Sequence, residues 1–395
     1  MKNLNIAFFG GTHVHLKVSE KCKDLGAKCY LLDKNKNCYA QDSNDFVNID
    51  FNNLKNAIKF IKQNNINYLY SSQSDVGVLS LGYINSKLKL PGTSFKIAKL
   101  LTNKFKIRKI LKKNNFYQPK FFLLNKNTNK KLKFNNKIYI VKPLDSSGSR
   151  GIYDVKNNIS LKSKIIKSLK FSKKKKVILE EKIKGLEFGA QTFSIKGDCK
   201  SVILHEDFMS NINPKIPAGH IFPFKQIDNP NELKKIKKVI KKAINILGVK
   251  NGPCNVDCIY TNDKKIFILE ISPRLGATCL PDMLKLYTGT DWDINTIKLQ
   301  NSLNIQEIKE KKKIHVMSKV FESKKTGYIR KIKTGKYPKN SNVNFFIGKN
   351  KKIQKFTDGT KLFGQIVSYS AKRENLIKKV FNFEKSIKIY LTSKK

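Results

Sequence analysis

Two stretches of this chain hold side chains suited to phosphate chemistry. In VKPLDSSGSRGI, residues 141–152, Lys142 ends the apolar run IYIV and is followed by a proline and a small, flexible loop. Ser146, Ser147, Gly148, Ser149, Arg150 and Gly151 can turn several backbone N–H groups toward phosphate oxygens, because small side chains do not block them. An ordinary hairpin turn needs fewer flexible residues than this. The lysine precedes the glycines, whereas a P-loop places it after them, directly before Ser or Thr. Further on, NVDCIYTNDKKIFILEISPRLG, residues 255–276, sets Asp257 and Glu270 inside otherwise apolar runs. Buried carboxylates need compensation. Mg²⁺ is a cation that prefers carboxylates together with substrate phosphates.

The elements that must position these groups follow from periodicity. Asn255–Tyr260 and Ile266–Ile271 read as two strands of a hairpin joined by Thr261-Asn262-Asp263-Lys264, which puts Asp257 and Glu270 on neighbouring strands. Strands are likewise expected at Tyr139–Lys142 and Val177–Glu180, bracketing the loop and a helix near Leu161–Lys170. Another strand pair surrounds Lys196-Gly197-Asp198 and a helix spans Asn231–Leu247. Before them, strands at Asn5–Phe9, Lys28–Leu32 and Tyr68–Ser71 alternate with helices at Val14–Leu25, Leu54–Asn64 and Val76–Leu88, the pattern of βαβ units with a parallel sheet. One lysine-rich helix is expected over Ile97–Asn114, and short strands with a final helix after about Ile305. Gly10-Gly11 needs only a tight strand-to-helix turn, since GGTHVH lacks the dinucleotide spacing.

Four pieces occur in a fixed order: Thr102-Asn103-Lys104, Val141-Lys142-Pro143 with its loop, LEEKIKGLEFG (179–189), and the 255–276 run. Together they resemble the ATP-grasp superfamily, which includes D-alanine–D-alanine ligase, biotin carboxylase, carbamoyl-phosphate synthetase and many carboxylate–amine ligases. Residues 74–111 are similar to the segment leading into the core of the carbamoyl-phosphate-synthetase-like members. The fold class this implies is α/β. A Rossmann-like, parallel-sheet pre-ATP-grasp domain (1–95) precedes a two-lobed ATP-grasp core (96–304, lid lobe about 120–190) and a small C-terminal α+β part (305–395).

The resemblance also implies roles. Lys104 and Lys142 contact the α-phosphate region and the α/β-phosphates of ATP, and the loop at Ser146, Ser147, Gly148, Ser149 and Gly151 covers its β/γ-phosphates. Glu180 and the backbone near Lys182 and Ile183 meet the adenine, and Glu187 takes the ribose hydroxyls, while Glu181 is left to solvent. Asp257 and Glu270 hold Mg²⁺, with Mn²⁺ as an alternative ion, and Arg274 clamps the γ-phosphate or an acyl phosphate. The family's usual E-x-N-P-R reads Glu270-Ile271-Ser272-Pro273-Arg274, so Ser272 stands where an amide metal ligand is expected. His205 and His220 fall in a segment that should face the substrate end, though a lone histidine is more often structural. His13 and His15 follow the first glycine turn.

The activity implied is ATP-dependent ligation. A small-molecule carboxylate becomes an acyl phosphate on Mg-ATP, and an amine, or a thiol, displaces phosphate. Bicarbonate activation and phosphotransfer are alternatives within the family. A basic nucleic-acid-binding protein with an inactive ATP site is the alternative from another class. The net charge of +51 invites that last reading. Yet only five of the 80 basic residues are Arg and the lysines are spread along the whole chain, with Asn also abundant, as an AT-rich coding bias produces. No specific nucleic acid is therefore expected, although the charge would attract anionic substrates. The apolar runs are strand-sized, far below the ~20 residues of a membrane helix, so a cytoplasmic protein without membrane contact is expected, and a homodimer is left open. Seven scattered cysteines without a CxxC pair fit reduced thiols better than a disulfide framework or a zinc site.

Overall fold

The computed structural model describes residues 1–128, 132–135, 137–146, 148, 150–311, 313–346 and 352–393. Its N-terminal unit runs β1 (Asn5–Phe9), α1 (His13–Asp24), β2 (Lys28–Leu32), β3 (Phe46–Val47), α2 (Leu54–Gln63), β4 (Tyr68–Tyr70) and α3 (Val78–Leu88). The four strands are parallel, in the order β3-β2-β1-β4. Alternate residues of β1 enter different cores: Ile6 and Phe8 pack on one side, Ala7 and Phe9 on the other. Burial on both faces explains why this strand reads as an unbroken apolar run. At its end Gly10 has φ +143°, and a Cβ there would lie 2.4 Å from the His15 ring, so no other residue fits the turn into α1.

The single helix expected over 97–114 is instead two, α4 (Phe95–Leu101) and α5 (Lys104–Lys113). Asn103 leaves helical geometry, with φ −127°, and its side chain accepts the Lys106 N–H, capping a new helix. Lys104 thereby becomes the first residue of α5. Next comes a four-stranded antiparallel sheet, β5-β8-β6-β7, from β5 (Phe121–Leu124), β6 (Tyr139–Pro143), β7 (Tyr153–Val155) and β8 (Val177–Glu181). Between β7 and β8, α6 (Asn158–Leu169) packs Leu161, Ile165 and Leu169 onto it.

The core continues with β9 (Leu186–Ile195), β10 (Asp198–Met209), β11 (Pro217–Phe222), α7 (Pro230–Leu247), β12 (Gly252–Tyr260), β13 (Ile266–Ser272), α8 (Leu280–Thr288) and α9 (Trp292–Gln300). Asn229 caps α7, Pro230 opens it and Gly248 ends it in a left-handed conformation. Its buried stripe of Ile236, Ile240, Ala243, Ile244 and Leu247 shares one core with Ala190, Leu204 and Val256 of the sheet. The last elements are β14 (His315–Phe321), β15 (Gly327–Lys333), β16 (Ser341–Phe345), β17 (Lys352–Ile353), β18 (Gly364–Ser370), α10 (Arg373–Ser386) and β19 (Lys388–Thr392). The C-terminal α+β part is joined to the core, because β14 pairs with β11. One sheet runs β13-β12-β9-β10-β11-β14-β18-β16, and β17-β15-β19 form a separate small sheet. Among the described residues no helix is long and apolar enough to cross a membrane, and all seven cysteines are free.

Candidate active site

A cleft of about 300 Å³ opens between the β5–β8 sheet and the β9–β13 end of the large sheet. Lys104, Lys142, Glu180, Lys182, Ile183, Glu187, Asp257 and Glu270 all line it, so residues up to 166 positions apart meet at one place. The β12–β13 register sets Asp257 directly opposite Glu270, with an irregularity just after Asp257. Burial, then the negative charges of Glu270 and Asp207, push the Asp257 carboxyl up to about 7. Two half-buried carboxylates facing each other at the wall of a cleft are a donor set that suits a hard divalent cation, which would remove that repulsion. The residues present therefore fit Mg²⁺.

The cations come from two sides. Lys104 Nζ donates to Glu270 Oε1 at 2.8 Å and to the Ser146 carbonyl at 2.7 Å, tying α5 to β13 and to the segment that follows β6. Lys142 Nζ lies 2.8 Å from Glu180 Oε2. That pair is a cross-strand diagonal, since Ile140 stands opposite Glu180 and Lys142 opposite Ile178. Within the loop, Gly148 has φ +67° with open space around it. Gly151 has φ +74° and would place a Cβ 2.7 Å from the Phe171 ring. Ser147 and Ser149 lie outside the described residues.

Several expected roles change. Glu180 does not offer a free carboxylate for adenine. It is 2% exposed, and Arg108 Nε reaches its Oε1 at 2.7 Å while Lys142 holds Oε2. Burial opposes its ionisation, but the Arg108 and Lys142 charges prevail and hold the carboxyl at about 2. Its place is beneath Lys142, as an anchor. Glu181, expected in solvent, stands at the cleft wall 2.8 Å from Lys137 Nζ. The Lys182 side chain goes to Asp154 at 3.0 Å, and its backbone N–H is taken by Ile138 O. Glu187 is exposed at the start of β9.

Neither Ser272 nor Arg274 lines this cleft, although Arg274 lies near enough to Glu270 and Asp257 for their charges to act on it. The Ser272 side chain is 4% exposed and bonds to Asp75, so it is not presented as a metal ligand. Arg274 makes a bidentate ion pair with the same Asp75, Nε–Oδ1 2.9 Å and Nη2–Oδ2 2.6 Å. Burial pulls the Asp75 carboxyl up, and Arg274, with smaller help from Lys104 and the Ser272 bond, brings it below the usual carboxylate range. The physical reason is that the loop after β4 carries an unbalanced carboxylate against the end of β13, and the guanidinium neutralises it.

His205 and His220 do not face an acceptor through Nδ1. Both Nδ1 atoms point at Asp207 Oδ1, at 2.9 and 2.7 Å, and both rings are buried. Burial opposes ionisation of Asp207 too, but the two histidines hold it well below the ordinary range. Asp207 itself lines the cleft. A hydrogen-bonded chain links this group to Asp257: Gln191 Nε2 lies 3.3 Å from His205 Nε2 and donates to Asn255 Oδ1 at 2.6 Å. Asn255 Nδ2 in turn donates to Asp257 Oδ1 at 3.0 Å. Sequence reasoning missed Asp75, Arg108, Asp207, Asn255 and Gln191. Only Arg108 left a signal, as one of five arginines in a lysine-dominated chain.

Residues 101–278 match the family model of the ATP-grasp domain. Over 302 residues the chain is 22% identical to the carbamoyl phosphate synthase large chain of Clostridium acetobutylicum, covering 72% of this chain and 27% of that one. It is 28% identical over 161 residues to D-alanine–D-alanine ligase of Brucella anthropi, covering 37% of this chain and 50% of that one. The chain thus spans half or less of the length of these relatives. Phosphoribosylglycinamide synthetase from Anaerococcus prevotii superposes with a TM-score of 0.77 at 26% identity, covering 98% of this chain and 100% of that one. Sheet order, cleft and matches agree, and residues 101–278 of this chain are an ATP-grasp domain.

Proposed function

We propose that this protein is an ATP-dependent ligase that activates a small-molecule carboxylate as an acyl phosphate and joins it to an amine. The observation carrying this is the meeting of Lys104 and Lys142 with the facing Asp257–Glu270 pair in one cleft. The two lysines would hold phosphate oxygens from opposite sides, Lys142 held in place by Glu180 and Lys104 by Glu270. Glu187, exposed at the mouth, would accept from the ribose diol, and the backbone at Lys182–Ile183 would flank the base. The 146–151 loop would close over the terminal phosphates and exclude water from the acyl phosphate.

Asp257 and Glu270 would hold Mg²⁺, which supplies charge neutralisation on the nucleotide phosphates. In the first step a carboxylate oxygen attacks the γ-phosphorus, and the bond to the ADP oxygen breaks. In the second the amine nitrogen attacks the acyl carbon, phosphate leaves, and the nitrogen loses a proton. Arg274, fixed by Asp75 at the end of β13, would sit where negative charge develops on the transferred group. Neither step needs a protein nucleophile.

Carboxylate-dependent ADP release with hydroxylamine as trapping amine tests this reading across a panel of carboxylic and amino acids. Hydroxamate formed in step with ADP supports it, and ADP released without hydroxamate for every carboxylate refutes it. Glu270→Gln should abolish turnover while leaving the circular dichroism spectrum unchanged.

A further inference from the structure

A second cavity, of about 220 Å³, opens where the N-terminal unit, α8–α9 and the C-terminal strands meet. In the parallel sheet β2 and β3 lie on one side of β1 and β4 on the other. Ligands of open parallel sheets bind at such a switch point, beyond the carboxyl ends of the strands. Here those ends lead to His13 and Gln73, and both line the cavity. Gln73 lies just before Asp75, the partner of Arg274, and Cys279 on the opposite wall lies just beyond Arg274 in the chain. Both segments of the Arg274–Asp75 pair thus run on into this cavity. Gln73, Thr278 and Cys279 have φ of +58°, +59° and +69°, left-handed conformations uncommon for non-glycine residues.

The chemistry of the walls is specific. Asp293 is 2% exposed and lines the cavity. Tyr70 Oη and Ser72 Oγ both donate to its Oδ1, at 2.6 and 2.7 Å, while among the described residues no hydrogen bond or ion pair reaches Oδ2. The neighbouring cations are already engaged, Lys17 with Asp282 and Lys21 with Asp291, each at 2.6 Å. In a chain of net charge +51, this is a place where a buried carboxylate has no cation of its own. The His13 ring, which also lines the cavity, stacks on Phe346 with centroids 3.8 Å apart and gives the cavity a flat surface suited to an apolar group. Burial lowers the His13 pKa to about 4, so the ring is neutral and does not repel a cation. The volume is below the ~300–1,000 Å³ of sites for larger organic ligands and suits a molecule of amino-acid size.

We propose that this cavity binds the amine substrate, a small primary amine on an amino-acid-sized skeleton, through an ion pair between its ammonium group and Asp293, whose carboxylate takes the first proton so that the freed nitrogen can attack the acyl carbon. The inference rests on the ligase reading, since the bound amine must reach the activated carboxylate beside Arg274. Its test is separable from that reading. Carboxyl-blocked L-amino acid amides, which cannot serve as the activated carboxylate, are titrated calorimetrically into protein holding Mg²⁺ and a non-hydrolysable ATP analogue. At least one amide should bind the wild type, its N-acetylated form should not, and Asp293→Asn should weaken binding roughly ten- to hundredfold. His13→Ala should weaken the amides with large apolar side chains most. Binding that survives N-acetylation, or is absent for every amide, overturns the proposal on wild-type protein alone, even if Asp293→Asn does not fold. A folded Asp293→Asn with unchanged affinity overturns it too. Failure of the ligase reading shows separately, as a wild type that forms no hydroxamate.

Discussion

Glu180→Gln separates the anchoring role of this residue from the adenine contact expected of it. The side chain keeps its size and one acceptor oxygen but loses its charge, leaving the Arg108 guanidinium, 1% exposed, with neutral acceptors only, the new amide and the Ile268 and Leu269 carbonyls. The glutamate carboxyl is held at about 2 against an ordinary value of 4.5, and at 1.36 kcal/mol per pKa unit that difference corresponds to about 3 kcal/mol of folding stability at neutral pH. Removing one partner of a buried ion pair costs ~3–5 kcal/mol, the same range. The sign follows from the depressed value. The stabilisation is complete above pH 4.5 and is lost as pH falls toward about 2, so the wild type should surrender about 1 kcal/mol of its advantage between pH 7 and pH 4. Urea denaturation followed by circular dichroism at both pH values measures this, with hydrogen exchange over α5 and β8 as the local readout. Because Lys142 loses its tether, the KM for ATP should also rise roughly tenfold, the value of one charge-assisted hydrogen bond. A Glu180→Gln protein with wild-type stability, the wild-type pH trend and an unchanged KM would refute the reasoning.

Three further outcomes follow from the same geometry. Asp75→Asn should lower kcat by at least tenfold with little change in the Kd for ATP, because it frees Arg274 without touching the cleft of Lys142 and Asp257; equal kcat values would remove Asp75 from the mechanism. Gly151→Ala should destabilise the β5–β8 sheet by about 1–3 kcal/mol, combining a left-handed φ with a Cβ 2.7 Å from Phe171, and local hydrogen exchange over β6 and β7 reads the loss. Since the Asp257 carboxyl sits at about 7 without metal, Mg²⁺ affinity measured by calorimetry should fall about tenfold per pH unit below 7 and level off above it. A Mg²⁺ affinity that stays flat between pH 5 and 7 would contradict that placement.

What the sequence disclosed, and what it hid, divides along physical lines. The hairpin bearing Asp257 and Glu270 was legible because its strands are apolar runs interrupted by single charges, and α7 because its apolar residues repeat at helical spacing with a Pro start and a Gly stop. The helix α9 left no such trace. Trp292, Asp293, Ile294, Asn295, Thr296 and Ile297 are all buried, so the element has no exposed face and therefore no amphipathic period. The break before Lys104 was hidden because Asn103 acts through a cap, and a lysine-rich pattern continues across it. Partnerships between distant residues were hidden as well, since Asp75–Arg274 spans 199 positions and nothing local couples them.

One compositional clue does reach across that distance. In a chain where lysine has displaced arginine almost everywhere, Arg108, Arg274 and Arg373 each make a charge-assisted contact to a carboxylate, with Glu180, Asp75 and Glu206. Each side chain also donates to a backbone carbonyl: Arg108 to Ile268 and Leu269, Arg274 to Leu275, and Arg373 to Pro223. A lysine ammonium matches the charge of such a site but not the fixed fork that satisfies a carboxylate and a carbonyl together. These three positions are therefore ones whose geometry lysine cannot reproduce, and Arg108 lies directly beneath the cleft, bound to Glu180. Replacing Arg108 with lysine should thus loosen Lys142 through Glu180, even though the net charge of the buried cluster is unchanged.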